Sequence, residues 1–294
     1  MTVVEIIFLM LGGVNLFDSM IFSFGSAGTG GFSNYADSVA HFHSAYIDGV
    51  ITTFLLHYFG VNFSLFYFML LGDFKSVRKN EELRTYIMLI VGATALITLN
   101  IHSMFPSMIK AFRYAIFQVV TVITTTGYAT TDFAKWPMFS KSILMMLTVV
   151  GACASSTGGG IKVSRLLVGI KCIKREIVQL AHPKSVGIIR IGGKKVGSDI
   201  LRTIYIYFIA YVGILIVSVM LVSLDNFDFE TTFSAVLTTL GNVGPGMAKV
   251  GPMGNFADFS ILSKLVLCFD MLAGRLEIFP FLVLFTAPAW RRKF

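Results

Sequence analysis

Long apolar stretches alternate with shorter, more polar segments along this chain. Five stretches are long enough for a helix that crosses a lipid bilayer, which needs about 20 apolar residues. They lie at about 44–71, 85–103, 138–170, 201–223 and 258–288. The pattern predicts an all-α, polytopic membrane protein.

Three other segments are helix-like and amphipathic, but each is too short or too polar to cross a bilayer. They lie at 17–29, 109–125 and 229–240, and each runs directly into a stretch centred on glycine. In chain order these stretches are Gly28-Thr29-Gly30-Gly31-Phe32-Ser33, Thr124-Thr125-Thr126-Gly127-Tyr128-Ala129 and Thr238-Thr239-Leu240-Gly241-Asn242-Val243.

The three glycine stretches share a short pattern. Aligned on their fourth positions, all of them read Thr-x-Gly, followed by Phe, Tyr or Asn. The aligned glycines, Gly31, Gly127 and Gly241, are 96 and 114 residues apart. Three copies in the same context indicate an internal repeat. Its unit is a long helix, a half-helix, a Thr-x-Gly turn and a second long helix.

The repeated turn has a chemistry that suits a cation. Non-helical backbone at membrane depth is tolerated only where it is buried in protein or lines a watery cavity. A half-helix that ends there directs its negative dipole end at the shared centre, and glycine lets carbonyl groups turn inward. A ring of such carbonyls replaces the hydration shell of potassium. The alternative is a set of ordinary glycine turns in re-entrant loops that hold no ion.

Composition agrees with a membrane protein. Apolar residues make up 55% of the 294 residues and charged residues only 14%, against about 25% charged in soluble domains. A soluble enzyme is therefore not expected. The three cysteines are far apart in the sequence, so neither a disulfide framework nor a zinc site is indicated.

The net charge of +8 comes from basic clusters that flank the apolar stretches. This placement is typical of cytoplasmic loops in membrane proteins. Aromatic residues do not interleave with the basic ones, so nucleic-acid binding is not predicted. The clusters consist of Lys75, Arg78, Lys79 and Arg84, of the basic residues from Lys162 to Arg202, and of Arg291, Arg292 and Lys293.

Two further strings complete a family resemblance. They are GACASSTGGGIK at Gly151–Lys162 and DMLAGRLEIFP at Asp270–Pro280. With the glycine stretches, they make the chain resemble the Trk/Ktr/HKT superfamily of potassium transport proteins, and most closely its bacterial TrkH and TrkG members. The resemblance covers essentially the whole chain. It implies helix–pore loop–helix units arranged pseudo-fourfold around an ion pore, in a multi-pass protein of the bacterial inner membrane.

The resemblance also implies roles for particular residues. Potassium would bind at the carbonyl groups of a filter formed by Thr29, Gly30, Gly31, Phe32, Thr125, Thr126, Gly127, Tyr128, Thr239, Leu240, Gly241 and Asn242. An intramembrane loop at 151–160 and a pore-facing arginine would gate the pore. The gating residues would be Gly151, Ser155, Ser156, Thr157, Gly158, Gly159, Gly160, Lys162 and Arg275.

The residues themselves leave alternatives for this gate. The small residues of 151–160 also suit a kink that serves packing alone. A charged residue inside an apolar helix normally faces a partner or a water-filled cavity. Arg275 could therefore form a structural ion pair with Asp270 or Glu277 instead of facing the pore.

The repeats divide the chain into four parts. Residues 1–72 correspond to the remainder of a second repeat, 73–170 to a third repeat, 171–200 to a basic cytoplasmic connection and 201–294 to a fourth repeat. A fourfold filter needs four loops, and this sequence contains three. We expect that the first repeat and most of the outer helix of the second are absent, and that the chain is a fragment rather than a truncated gene.

The predicted function is potassium uptake through a carbonyl-lined filter, without covalent chemistry and without a cofactor. Potassium would be the transported substrate, and membrane lipid would surround the protein. The resemblance implies a homodimer and a cytosolic nucleotide-binding regulatory subunit of the TrkA type, for which the basic stretch 162–202 is a docking site. The alternatives are a sodium-preferring member, an ion-coupled or alternating-access carrier, and a membrane-embedded enzyme.

Overall fold

The computed structural model describes residues 1–284 except Lys184, Val186 and Glu277. The fold of this part is helical, as the hydrophobic pattern predicts. Its helices are α1 Thr2–Leu11, α2 Leu16–Ala27, α3 Ala45–Phe54, α4 Phe63–Leu70, α5 Phe74–Lys79, α6 Glu81–Ile101, α7 Met108–Ile123, α8 Met138–Val149, α9 Val163–Ala181, α10 Ser198–Val222, α11 Phe229–Gly241, α12 Ile261–Arg275 and α13 Ile278–Val283.

The same order of helices occurs three times along the chain. It consists of an outer helix, a half-length pore helix and a broken inner helix. The first unit consists of α1, α2 and α3–α4, the second of α6, α7 and α8–α9, and the third of α10, α11 and α12–α13. In each unit the pore helix packs against the outer helix, and in the second and third against the inner helix.

The outer helices of the second and third units have the length and character of membrane spans. Glu81–Met104 and Ser198–Asp225 are long and apolar enough to cross a bilayer, and the bent pair Ala45–Phe59 and Phe63–Leu70 passes the same test as one unit. Large apolar side chains such as Met88 and Ile209 are exposed on these helices. An apolar surface of this kind suits contact with lipid.

The core lies around the pore helices. Residues 117–123 of α7 and 234–241 of α11 are buried throughout. A side chain caps the beginning of each pore helix: Asn15, Ser107 and Asp228 accept hydrogen bonds from the backbone N–H groups of Asp18, Lys110 and Thr231. Such caps satisfy N–H groups that the helix itself leaves open.

The inner helices are not continuous. The predicted helices 44–71 and 258–288 are wrong in this respect, whereas the break in 138–170 lies where the intramembrane loop 151–160 is predicted. The first is interrupted between α3 and α4, with a bend of 83°. Gly60 lies at this break, where a Cβ atom would be 2.2 Å from the Tyr86 hydroxyl oxygen. Its carbonyl oxygen accepts a hydrogen bond from the Cys153 N–H (3.1 Å). The break thus leaves a free carbonyl group for the intramembrane loop.

The second inner helix stops at Val149, resumes at Val163 and continues to Ala181, beyond the predicted end at residue 170. The third stops at Arg275 and resumes at Ile278. The predicted helical residues from 285 onwards, and the basic cluster at 291–293, lie outside the described residues.

The basic connection also contains a small β-hairpin, which an all-α prediction does not include. Strands β1 (Arg190–Ile191) and β2 (Lys194–Lys195) pair antiparallel. Gly192 and Gly193 form the turn, with φ of 56° and 81°. Two consecutive left-handed residues favour the tight hairpin turn whose twist matches that of the strands. Ile189 and Leu201, which flank the hairpin, pack on α9.

Candidate ion filter and gate

All three pore helices end in the same backbone motif. One residue in the left-handed region donates its N–H to the carbonyl three residues back, and the next residue donates to the carbonyl five residues back. A second left-handed residue, a glycine, follows two positions after the first. The left-handed residues are Thr29, Thr125 and Asn242 (φ 45°, 56° and 61°), followed by Gly31, Gly127 and Gly244 (φ 63°, 86° and 100°).

This motif corrects the alignment of the third stretch. Gly244 is the structural equivalent of Gly127, whereas Gly241 is the last helical residue and corresponds to Thr124. The predicted alignment through Gly241 is therefore wrong by three residues. Gly241 serves helix packing instead, because a Cβ atom on it would lie 2.5 Å from the carbonyl oxygen of Thr148.

The three filter turns pack side by side. A Cβ atom on Gly31 would lie 1.9 Å from the carbonyl oxygen of Thr126, and one on Gly127 would lie 1.9 Å from that of Val243. Thr126 and Val243 occupy equivalent positions, so Gly31 and Gly127 each contact the same carbonyl group of the next turn. On the third turn, Gly244 meets no described atom within 4 Å of the equivalent Cβ position.

A cavity of about 340 Å³ lies between the first and third filter turns. Thr29 and Gly30 line it from one side, and Asn242 and Gly244 from the other. Arg275 contributes the charged side chain of its wall. Apolar side chains such as Phe256 and Met271 complete the wall, so Arg275 is the one charged group among the described residues that line this space.

The other predicted filter residues have different environments. Phe32 and Thr239 also line the cavity. Leu240 is fully buried, and its carbonyl oxygen would be 2.0 Å from a Cβ on Gly274 of α12. Tyr128 is fully buried too, and its ring lies behind the first filter turn.

The predicted intramembrane loop lies against all three turns. The Gly159 N–H donates to Thr125 Oγ1 (2.7 Å), and Thr29 Oγ1 donates to the Thr157 carbonyl (3.1 Å). A Cβ atom on Gly159 would lie 2.9 Å from the Cβ of Asn242. The structure thus brings the predicted loop and the filter turns together.

Hydrogen bonds hold the loop at several points. The Gly151 N–H donates to the Ile161 carbonyl (2.7 Å) and joins its two limbs, while the Lys162 ammonium group donates to the Gly158 carbonyl. Glu82 Oε1, on the outer helix α6, accepts from the Ala154 N–H (2.6 Å).

Further bonds tie the loop to itself and to the inner helix of the first unit. The Phe63 N–H donates to the Ser155 carbonyl (3.2 Å), and Thr157 Oγ1 donates to that of Phe59 (3.3 Å). Ser156 Oγ donates to the Cys153 carbonyl (2.6 Å). Two left-handed residues, Ser155 and Gly160 (φ 55° and 65°), shape the turns. These bonds fix the position of the loop against α4 and the inner helix of the first unit.

Arg275 contacts the first filter turn directly. Its guanidinium group donates to the Gly28 carbonyl (2.6 Å) and to Thr29 Oγ1 (3.1 Å). Asp270 is instead bonded to Ser218 Oγ (2.7 Å), so no ion pair joins it to Arg275 among the described contacts. The other predicted partner, Glu277, lies outside the described residues.

Sequence reasoning missed several residues of this site. Val243 and Gly244 were hidden by the misplaced alignment, although the Gly-Pro pair at 244–245 marks a turn. Gly28 and Glu82 gave no signal, because their contacts come from distant parts of the chain.

Repeated helix–pore loop–helix units whose turns share one centre define a class of helical, multi-pass membrane proteins. The TrkH family of cation transport proteins matches residues 10–291, and the chain belongs to this family. It is 36% identical to the Trk system potassium uptake protein TrkH of Salmonella typhimurium and 35% identical to that of Escherichia coli K12. Both matches cover 99% of this chain and 60% of the relative.

Two further similarities are informative. The potassium uptake protein TrkG of Escherichia coli K12 is 30% identical over 96% of this chain and 58% of its own length. The crystal structure of the potassium transporter TrkH from Vibrio parahaemolyticus superposes with a TM-score of 0.91 at 34% identity, over 99% of this chain and 62% of that one. The chain thus spans about 60% of the length of these relatives.

Proposed function

We propose that this chain forms three walls of a potassium-selective pore and acts as the membrane-spanning subunit of a potassium uptake system. One observation carries the proposal: three helix ends with the same backbone motif converge, and the turn glycines Gly31 and Gly127 each contact the equivalent carbonyl group of the next turn. Carbonyl groups held in such a ring can replace the hydration shell of potassium. The potassium-uptake names of the relatives support the same ion.

The open face of the third turn supports a fourfold pore. Gly31 and Gly127 each contact a neighbouring turn, whereas Gly244 meets no described atom at the equivalent place. A fourth turn packed there would complete the ring. The residues that we propose for potassium binding are the predicted set at 29–32, 125–128 and 239–242, extended by Val243 and Gly244.

We further propose that the intramembrane loop and Arg275 close the pore beneath the filter. The loop contacts all three turns, and the guanidinium group lies in the cavity below the first one. The loop would obstruct the path sterically, and the positive charge would repel an arriving cation. Opening would require both groups to move away.

The proposed location is the bacterial inner membrane, with the filter open to the outside. The basic residues of α5 and of the connection 171–200 would face the cytoplasm. Glu81 at the beginning of α6 pairs with Lys171 of α9, which places both segments at the same end of the bundle.

The cytoplasmic part of α9 is the proposed docking surface for a nucleotide-binding regulator of the TrkA type. Ile173, Ile177 and Leu180 lie on one helix face and are 63%, 61% and 83% exposed. Beyond the membrane, an apolar stripe of this kind favours contact with protein. A second copy of the chain, as in the proposed homodimer, is the competing occupant.

Ion flux into liposomes tests the proposed function. The complete gene product is reconstituted, and uptake of potassium and sodium is measured with each ion alone and in competition. We expect saturable potassium uptake that exceeds sodium uptake at least about tenfold. Equal uptake of both ions, or a preference for sodium, would contradict the potassium assignment, and coupling of uptake to a proton gradient would indicate a carrier.

A further inference from the structure

A buried carboxyl group lies behind the first filter turn. Glu5 of the outer helix α1 is fully buried, and neither of its carboxyl oxygens has a hydrogen-bond partner among the described residues. The Ser26 hydroxyl lies beside it without reaching hydrogen-bond geometry. Ser23 is one turn earlier on the pore helix, and its hydroxyl is also buried and unpartnered among the described residues. Glu5 and Ser26 thus share one enclosed place.

Tyr128, from the second filter turn, extends into the same region. Its hydroxyl donates to the Phe22 carbonyl (3.0 Å) and lies 3.3 Å from that of Phe32. A Cβ on Gly25 would lie 2.1 Å from the hydroxyl oxygen, so only glycine leaves room for it. Glu5 lies near this hydroxyl as well. The tyrosine therefore connects two filter turns, and the buried carboxyl group lies in the same region.

The protonation state follows from the surroundings. An ionised carboxylate buried at membrane depth is costly unless a cation pairs with it, and no described side chain does so. A neutral carboxylic acid provides one donor and at least one acceptor. The Ser26 hydroxyl can match one of these groups, so a small rotation of the two side chains suffices for a hydrogen bond.

We propose that Glu5 is a neutral carboxylic acid that positions the potassium filter, by bracing the pore helix α2 and the tip of Tyr128 from behind. The inference rests on the proposed function, since it assigns Glu5 to the same filter. The role is one of positioning, because the side chain is separated from the cavity by the pore helix.

Two substitutions separate this role from a merely structural one. Glu5→Gln keeps the shape and both a donor and an acceptor, and we expect potassium-over-sodium selectivity within about twofold of wild type. Glu5→Leu removes the polar groups at similar volume. We expect its selectivity per folded molecule to fall roughly tenfold, which is the effect of losing about one buried hydrogen bond.

A double-mutant cycle tests the connection to the filter. Tyr128→Phe should also lower selectivity, and its effect should not add to that of Glu5→Leu because both act on one cluster. Tyr46→Phe is the matched control, since it also removes a tyrosine hydroxyl that donates to a backbone carbonyl, that of Phe8 (3.1 Å), outside the three filter turns. Selectivity of the control should be unchanged.

Infrared difference spectroscopy provides a readout that is independent of transport. The C=O stretching band of a protonated carboxylic acid should be present in wild type and lost in Glu5→Gln. No difference in this band, or loss of selectivity in Glu5→Gln, would overturn the neutral-acid assignment. Wild-type selectivity in folded Glu5→Leu would overturn the positioning role. If wild type itself does not select potassium, the proposed function fails, while the band still reports the state of Glu5.

Discussion

One guanidinium group links the filter to the space beneath it. Arg275 holds the carbonyl of Gly28 and the hydroxyl of Thr29, so its position depends on the same turn that would bind the ion. Two unit charges 4 Å apart interact by about 4 kcal/mol at an effective dielectric of 20. The hydrogen bond from Arg275 to a backbone carbonyl weakens its repulsion of a cation, but the interaction stays repulsive.

Replacing Arg275 should therefore speed potassium flux. We expect Arg275→Ala to raise flux per folded molecule roughly tenfold, and Arg275→Lys to stay near wild type because it keeps the charge. Single-molecule conductance or liposome flux, normalised to folded protein, measures the effect. Unchanged or lower flux in a folded Arg275→Ala protein would remove the arginine from the gate.

At the residue scale, the sequence predicts the filter only where its pattern is regular. The first two turns have threonine followed by glycine at the left-handed positions, and their alignment is right. In the third turn Asn242 takes the first left-handed position, which asparagine tolerates. The tripeptide Thr239-Leu240-Gly241 is part of α11 instead. Aligning it with the other two Thr-x-Gly turns therefore puts the third turn three residues too early.

At the scale of elements, the proposed gate depends on a helix break that hydropathy does not reveal. The stretch 44–71 is largely apolar, yet its break at Gly60 provides a carbonyl group for the loop. Glycine is needed at this break because of its contact with Tyr86, and its carbonyl group bonds to Cys153; both residues are distant in sequence. Element types follow from local apolar pattern, whereas the breaks follow from contacts that form only in the folded protein.

Releasing the loop from α6 should open the gate more often. Glu82→Ala removes the acceptor of the Ala154 N–H, a bond of a type worth about 1.5–3 kcal/mol. We expect a several-fold rise in flux and an intermediate rise for Glu82→Gln. Glu81→Ala is the control, because it removes only a partly exposed ion pair with Lys171, worth at most about 1 kcal/mol. Equal flux in Glu82→Ala and Glu81→Ala would contradict the role of this anchor.

At the scale of the whole molecule, the account requires one orientation in the membrane. Ser76 precedes α6 and Ser103 follows it, so the two residues lie at opposite ends of a 21-residue helix. We expect Ser103→Cys to react with impermeant thiol reagents added to intact cells and Ser76→Cys to react only after lysis. The background carries Cys268→Ser, since Cys268 is the exposed one of the three native cysteines. Labelling of Ser76→Cys from outside would reverse the proposed topology.

The central claim is that neighbouring turns form one potassium filter, and the ion preference of Gly127→Ala tests it most directly. The added Cβ would lie 1.9 Å from the Val243 carbonyl oxygen and would displace it. Gly72→Ala is the matched control, because Gly72 also has a positive φ (76°) but open space around it. In reconstituted complete protein, we predict that Gly127→Ala lowers the potassium-over-sodium permeability ratio about tenfold or more and that Gly72→Ala leaves it unchanged. A wild-type ratio in folded Gly127→Ala protein would contradict the account.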